Sequence, residues 1–391
     1  MGELILKPTE DRRIRAGHLW VFSNEIAEAR DISENGGLVD VVSSRGRFLG
    51  FAYYNKHSLI AARLLTNRRE EIDRAFFVRR LTKAFEYRKE VLDSVRSGRM
   101  VFSESDLLPG LIVDKYESWL VVQLLTLGME RFRETILSAL AELCSPQGIL
   151  LRNDSPFRRF ESLAEEVGVV HGELPDRVEI DEAGALFAVD LRSGQKTGFF
   201  FDQRDSRDIV RQLARGKRVL DCFCYSGGFA INAALGGASN VLAVDESQTA
   251  LDLLMRNAEL NAVTERITPT RADCFNSLRE LSESGERFDL IILDPPAFVK
   301  SKSQLKAGLA GYREINLTAM KLLSPDGTLV TCSCSQNLSV PAFEEVLRAA
   351  ARDAQVRLRQ RAQLTQAADH PVLQAMPETQ YLKGFVLQRI S

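Results

Sequence analysis

Two cysteines one residue apart close an apolar run, Leu329-Val330-Thr331-Cys332-Ser333-Cys334-Ser335. C5 of a cytosine or uracil is too weak a nucleophile to attack a sulfonium methyl group. A thiolate that adds to C6 converts C5 into an enamine carbon, which can attack. A base then removes the C5 proton and the thiolate is eliminated. A cysteine at a strand end beside a methyl donor meets that requirement. In an extended segment Cys332 and Cys334 point to the same side, so geometry leaves both open. The plain alternative is that both are small buried packing residues, since free cysteine is often buried.

A second cluster closes the preceding apolar run, Leu293-Asp294-Pro295-Pro296-Ala297-Phe298. The two prolines stiffen the exit from the strand and remove backbone donors. Asp294 is placed to hydrogen-bond a target base, with Pro295 and Phe298 beside it. Amino-methyltransferases carry an aromatic directly after such a Pro-Pro pair, stacked on a flipped base. Ala297 stands there in this chain, which argues against amine methylation; Phe298 is a partial substitute.

Acids at three successive strand ends point to the methyl donor. Val219-Leu220-Asp221-Cys222 runs into Tyr225-Ser226-Gly227-Gly228 before a helical segment. Ligands of α/β sheets bind at the carboxyl ends of strands, and glycines let backbone approach a ligand closely. The turn is not G-x-G-x-x-G, so a dinucleotide is not the first choice. Asp245, 17 residues past Gly228, ends the next strand, where an acid can accept hydrogen bonds from two ribose hydroxyls. Asp273 follows the third, beside Cys274, where an adenine amino group would lie. Together these residues predict a site for S-adenosylmethionine built from Asp221, Cys222, Tyr225, Ser226, Gly227, Asp245, Asp273, Cys274 and Asp294.

The elements that carry these residues alternate from about residue 205 onward. Short apolar runs at 218–221, 240–245, 267–270, 290–294 and 327–331 are separated by helical stretches, the pattern of a parallel, doubly wound sheet. Upstream, 38–42 and 48–53 read as a hairpin across Ser43-Ser44-Arg45-Gly46, with a third run at 59–65. A helix is expected over 72–95, with Arg74, Arg79, Arg80, Lys83, Arg88 and Lys89 between its apolar positions. Those cations form a solvated face or an RNA-facing one. Runs at 111–114 and 119–125, a helix over 130–143, a strand at 148–152 and a hairpin at 178–180 and 186–191 complete a central α+β unit and its exit. The segment Gly194-Gln195-Lys196-Thr197-Gly198-Phe199-Phe200-Phe201-Asp202-Gln203-Arg204 combines glycines, aromatics and cations. It is expected to cap the cofactor or to guide RNA through Lys196 and Arg204.

Bulk properties set limits. At 391 residues the chain exceeds one ordinary core. Its net charge of -2 makes nucleic-acid contact a matter of local patches such as Arg12, Arg13 and Arg15. No apolar run approaches a membrane span, and Met1-Gly2-Glu3-Leu4 does not open a secretory signal, so a cytoplasmic protein is expected. The six cysteines read as thiols rather than disulfides. A metal site from the pairs Cys222/Cys224 and Cys332/Cys334 is disfavoured by their C-x-C spacing, and no metal is expected.

The combination of these motifs resembles the bacterial large-subunit ribosomal RNA cytosine-5 methyltransferases over essentially the whole chain. The resemblance rests on Arg12-Arg13-Ile14-Arg15-Ala16-Gly17-His18-Leu19-Trp20, on Gln195-Lys196-Thr197-Gly198-Phe199-Phe200 with Asp202-Gln203-Arg204, on Asp294-Pro295-Pro296-Ala297-Phe298, and on Ser333-Cys334-Ser335. It implies an α/β protein: an N-terminal β-rich PUA-like RNA-binding domain over 1–70, a central α+β domain over 71–175, and a Rossmann-like class I methyltransferase domain over 176–391. It implies S-adenosylmethionine as cofactor, 23S ribosomal RNA or a large-subunit particle as partner, and Cys334 as nucleophile, by match to a Ser-Cys-Ser motif. Many relatives carry a second cysteine after the fourth strand that helps release product. Here Pro295-Pro296 occupies that place, which leaves the release step unassigned and the base, cytosine or uracil, open. Uracil-5 or purine N-methylation, a non-catalytic RNA-binding assembly factor, and a homodimer stand beside this reading.

Overall fold

The computed structural model describes residues 2–390. Two compact units divide the chain, the first made of Met1–Ile180, Val189–Phe201 and Ala368–Thr379, the second of Asp181–Ala188, Asp202–Ala367 and Gln380–Ser391. Among the described residues no helix is long and apolar enough to cross a membrane.

The first unit holds two sheets. A six-stranded sheet contains the expected hairpin, Leu38–Val42 antiparallel to Phe48–Tyr54, with Ala62–Thr66 next to it. Leu4, Val39, Val41, Ala52 and Leu64 alternate into its core, as period-two patterning requires. A five-stranded sheet runs from Glu166–Gly172 through Gly148–Asn153, Trp119–Leu124 and Leu111–Tyr116 to Ser97–Phe102. Helices Arg74–Val91 and Arg133–Cys144 share a core with it through Phe77, Leu81, Ile136 and Leu140.

The helix expected over 72–95 starts at Arg74, capped by Asp73, whose carboxylate accepts from the Phe76 N–H at 2.8 Å. It stops at Val91, before Asp93 and Ser94, residues that compete with helical backbone bonding. One of the cations expected on its outer face is misassigned. Arg88 is fully buried; it pairs with Asp106 at 2.5 Å and donates to the carbonyls of Arg99 and Asp369, both at 2.9 Å. Hydrogen bonding to all sides turns this charge into a core residue.

The second unit is a seven-stranded sheet. Its strands are β1 (Arg218–Cys222), β2 (Asn240–Asp245), β3 (Ile267–Arg271), β4 (Phe288–Leu293), β5 (Leu323–Ser333), β6 (Arg357–Thr365) and β7 (Lys383–Ile390). Their spatial order is β3-β2-β1-β4-β5-β7-β6. The first five are parallel, while β7 runs antiparallel to both β5 and β6. The intervening helices are α1 (Arg204–Leu213), α2 (Gly228–Leu235), α3 (Gln248–Leu260), α4 (Cys274–Glu283), α5 (Leu305–Leu322) and α6 (Val340–Asp353). This is the Rossmann-like doubly wound architecture that the alternating pattern predicts. Central strands buried on both faces read as continuous apolar runs, and Leu290, Ile291, Ile292 and Leu293 are each fully buried. The C-terminal pair β6 and β7 has no counterpart among the strands read from sequence.

Register aligns the strand ends. Cys222 pairs with Leu293, Leu293 with Thr331, and Thr331 with Phe385. The residues just beyond that line, Asp294 and the Cys332–Cys334 segment, therefore emerge at one edge of the sheet. This is the carboxyl edge of the parallel strands, where α/β sheets bind ligands.

Candidate active site

Asp221, next to last in β1, has its side chain fully buried and neither carboxylate oxygen in a completed hydrogen bond. Burial and the nearby Asp294 hold its proton affinity well above the usual carboxylate range, opposed by the Ala230 N–H in the first turn of α2. A buried acid with free acceptor positions suits a cationic ligand group such as an amino acid ammonium.

The turn beyond it is built for close approach. Tyr225 and Gly227 both have positive φ, +46° and +87°. A Cβ on Gly227 would lie 2.8 Å from Leu254 Cγ, so side-chain packing as well as backbone conformation demands glycine here. Asn257 Nδ2 donates to the Ser226 carbonyl at 2.9 Å and fixes the turn against α3. Asp245, half-buried at the end of β2, accepts from the Tyr225 N–H through one oxygen and the Ser247 N–H through the other, both at 2.9 Å. Two bonds leave further lone pairs on that carboxylate, the capacity a pair of ribose hydroxyls needs.

Three of the expected cofactor residues have different side-chain duties. Cys222 and Cys274 are buried in the apolar core, the Cys222 thiol pushed up by its hydrogen bond with Cys274 and by burial. Cys274 Sγ accepts from the Phe223 N–H at 3.2 Å. Their side chains face packing, so only backbone is left for a ligand. Asp273 caps α4, accepting from the Asn276 N–H at 2.9 Å; its strand-end position therefore also has a structural cause.

On the other side of β1, Asp294 is half-buried and accepts at Oδ1 from Gln203 Nε2 at 2.9 Å. Pro295 is buried behind it. Phe298 is committed to an aromatic cluster, its ring 4.7 Å from Tyr312, 5.7 Å from Phe275 and 6.3 Å from Phe223. Phe298 is half-buried, with part of its ring committed to Tyr312.

The two strand-end cysteines differ sharply. Cys332 is fully buried, opposite Gly384 on β7, where even a Cβ would come within 2.9 Å of its Sγ. Burial and Asp294 push its thiol well up. Cys334 lies just past the end of β5 and is partly exposed. Its flanking serines are tied down by Tyr312 of α5, whose hydroxyl meets Ser333 Oγ at 2.8 Å and Ser335 Oγ at 2.9 Å. Ser335 Oγ also accepts from the Val299 N–H at 3.1 Å. Tyr312 therefore joins the cysteine turn to the loop that follows Asp294. Sequence reasoning missed it, as it missed Gln203 as a partner of Asp294 and Lys383, whose Nζ donates to the Ser335 carbonyl at 2.6 Å.

The basic residues singled out from sequence are divided between the two units. Arg204 is half-buried and pairs with Glu182 at 3.4 Å, alongside a buried bidentate Arg207–Glu182 pair at 2.6 and 2.7 Å. Arg204 is thus tied into the protein's own ion-pair network. Lys196, in the other unit, is exposed with its Nζ 4.6 Å from the Phe200 ring centroid. Arg12, Arg13 and Arg15 share one helical turn, Arg12–Arg15. Arg13 pairs with Glu25 at 2.5 Å and lies 4.9 Å from the Phe22 ring centroid, while Arg12 and Arg15 are exposed. Among the described residues no cluster of three or more His, Cys, Asp or Glu could hold a metal ion.

Comparison with known proteins identifies the class. Residues 4–67 match the model of a PUA-like domain and residues 128–376 that of an S-adenosylmethionine-dependent methyltransferase. A methyltransferase solved in complex with SAH shares the fold with a TM-score of 0.87 at 21% identity, over 99% of this chain and 100% of that one. The chain is therefore an S-adenosylmethionine-dependent methyltransferase with an N-terminal PUA-like domain. Ribosomal RNA large subunit methyltransferase I of Vibrio cholerae is 43% identical over 382 residues, 96% of either chain, and that of Tolumonas auensis 42% identical over 393 residues, 98% of either. The chain belongs to the family of these enzymes.

Proposed function

We propose that this enzyme forms 5-methylcytosine in 23S ribosomal RNA, in the cytoplasm, with Cys334 as nucleophile and Asp294 holding the base. The observation that carries the assignment is the contrast at the end of β5: Cys332 is fully buried beside Gly384 of β7, and Cys334 is the partly exposed member of the pair. Residues 1–70 serve as the RNA-binding module, with exposed Arg12 and Arg15 offered to phosphate, Arg15 in exchange for its 3.8 Å pairing with Asp11. Residues 71–175 form the central domain and 176–391 the catalytic one, and the reading admits a homodimer.

Asp221 and the Tyr225–Gly227 turn would hold the aminoacyl end of S-adenosylmethionine, and Asp245 the ribose. When bound, that cofactor supplies an electrophilic methyl group. The Cys334 thiolate adds to C6 of the base, forming an S–C6 bond and making C5 nucleophilic. Once C5 carries the methyl group, loss of the C5 proton to a base breaks the S–C6 bond and restores the thiolate. Gln203 orients Asp294 through its Nε2–H, and the Tyr312 hydroxyl fixes both neighbours of the nucleophile.

The test is methylation of ribosomal RNA with methyl-labelled S-adenosylmethionine, followed by digestion to nucleosides. Label in 5-methylcytidine is expected. Label in 5-methyluridine would move the assignment to uracil, and label in an N-methylpurine would overturn the C5 chemistry. Cys334→Ala is expected to abolish transfer with SAH affinity retained, whereas Cys332→Ala retains transfer.

A further inference from the structure

The turn that carries Cys334 is gripped from two sides. Tyr312 holds it from α5. From the other side comes Lys383, the first residue of β7, which lies opposite Ser333 in the antiparallel pairing with β5. Only 4% of Lys383 is exposed. A lysine this deeply buried normally has a carboxylate partner, because burial penalises its charged form. Among the described residues Lys383 has none. Its Nζ donates to the Ser335 carbonyl at 2.6 Å, and the ionisable group that acts on its charge is the Cys334 thiol.

We propose that Lys383 is a positioning residue that keeps Cys334 in its thiolate form, its buried ammonium fixed beside the nucleophile by the Ser335 carbonyl. This rests on the reading of Cys334 as the nucleophile. An ammonium carries three N–H donors; the Ser335 carbonyl takes one, which leaves two for a thiolate. The proton balance is simple. The S–H bond of Cys334 breaks, its proton leaves to water, and a thiol beside an ammonium becomes a thiolate beside an ammonium. An adjacent cation lowers a thiol by about one to three pH units, enough to populate the nucleophile at neutral pH. When the S–C6 bond breaks at the end of the reaction, the same cation receives the departing thiolate.

The neighbouring ionisable groups do not compete for this role. Burial pulls the Lys383 ammonium down to about 8, and Cys334 acts in the opposite direction. Lys383 is therefore charged at neutral pH, and a thiolate holds its proton on to higher pH. From α5, Tyr312 is pushed up by burial. From β5, Cys332 is pushed up by burial and by Asp294, with Asp202 adding to the effect. Both stay neutral across the working range and leave Lys383 as the cation facing the turn.

The experiment follows the alkylation of Cys334 in the full chain by iodoacetamide, resolved peptide by peptide by mass spectrometry, over a pH range from about 5 to about 10. Lys383→Gln is expected to raise the alkylation midpoint by about one unit, a roughly tenfold slower reaction at neutral pH. Lys383→Arg is expected to keep the midpoint low, and both variants to retain SAH affinity. A wild-type midpoint in Lys383→Gln overturns the proposal. Should that variant not fold, the reciprocal measurement decides, since coupling reads equally from either side. Cys334→Ala must then lower the midpoint for acetylation of Lys383, and an unchanged midpoint overturns the proposal. Full methyl transfer by Cys334→Ala would overturn the nucleophile assignment instead, and the alkylation midpoints would still report the pairing.

Discussion

The Tyr312 hydroxyl stands 2.9 Å from Ser335 Oγ and so bridges a helix to the turn of the proposed nucleophile. The same hydroxyl receives a hydrogen bond from Ser333 at 2.8 Å. Cys334 is thereby bracketed by two serines sharing one partner. The ring of Tyr312 meanwhile packs on Phe298 and Phe343.

Removing only that oxygen separates positioning from packing. Tyr312→Phe keeps the ring and leaves Ser333 with no acceptor and Ser335 with one bond fewer, at a cost of about 1–3 kcal/mol in stability. Turnover is expected to fall at least about tenfold, the equivalent of 1.4 kcal/mol in the transition state, with SAH affinity unchanged. Wild-type turnover in this variant would show that the bracket does not matter to chemistry.

Asp221 makes the ligand-free protein sensitive to pH. Its folded-state proton affinity is raised by burial and by Asp294, above an unfolded value of about 3.9. Its contribution to stability is therefore full below about pH 4 and is lost as pH rises through the folded value. At neutral pH the unfolded chain holds this carboxyl ionised, so burying it is a cost that a cationic ligand offsets. Asp221→Asn is expected to raise the ligand-free melting temperature at pH 7 by a few degrees, about 2–4 °C per kcal/mol, and to shrink the further rise on adding SAH. Differential scanning fluorimetry with and without SAH checks both; a lower ligand-free melting temperature at pH 7 contradicts the prediction.

Two glycines allow strain to be separated from collision. At Gly227, φ is +87° and a Cβ would meet Leu254 Cγ at 2.8 Å; at Gly285, φ is +79° and nothing lies within 4 Å. Gly285→Ala carries only the backbone penalty, roughly 1 kcal/mol. Gly227→Ala adds a clash, raising the loss to about 2–4 kcal/mol, and weakens SAH binding. Urea denaturation of the two variants should rank them in that order, and equal losses would refute the packing argument.

Asp245 has one oxygen on Tyr225 and the other on Ser247. Asp245→Asn replaces one acceptor by a donor and so loosens either the turn or the start of α3. SAH affinity is expected to fall at least about tenfold, or 1.4 kcal/mol, as read by calorimetry. An unchanged affinity would remove Asp245 from the ribose site.

Much of the framework was legible in sequence because central parallel strands are continuous apolar runs. All five parallel strands of the second unit were read from runs such as Leu290–Leu293, and the acids at their ends followed. What escaped has a common cause, contact across long sequence separation. Gln203 and Asp294 are 91 residues apart, Tyr312 and Ser335 are 23, and Lys383 and Ser335 are 48. No local pattern encodes those meetings; they follow from strand order. Arg88 misled for a similar reason, since its place within a charged helical stretch does not reveal Asp106 and the carbonyls awaiting it. Phe298 was legible as an aromatic near the site, but its commitment to Tyr312 was not.

Strand β7 lies between β5 and β6 in the sheet although it follows both in the chain. It supplies Lys383, and its Gly384 covers Cys332. During synthesis every other part of this site leaves the ribosome before that strand does. Until it inserts, Cys332 is not yet packed against Gly384 and Lys383 has not reached the Ser335 carbonyl, so a nascent chain holds two thiols that the sheet has yet to distinguish. Topology thus acts as a timer, with the two cysteines set apart only when this late strand closes the sheet.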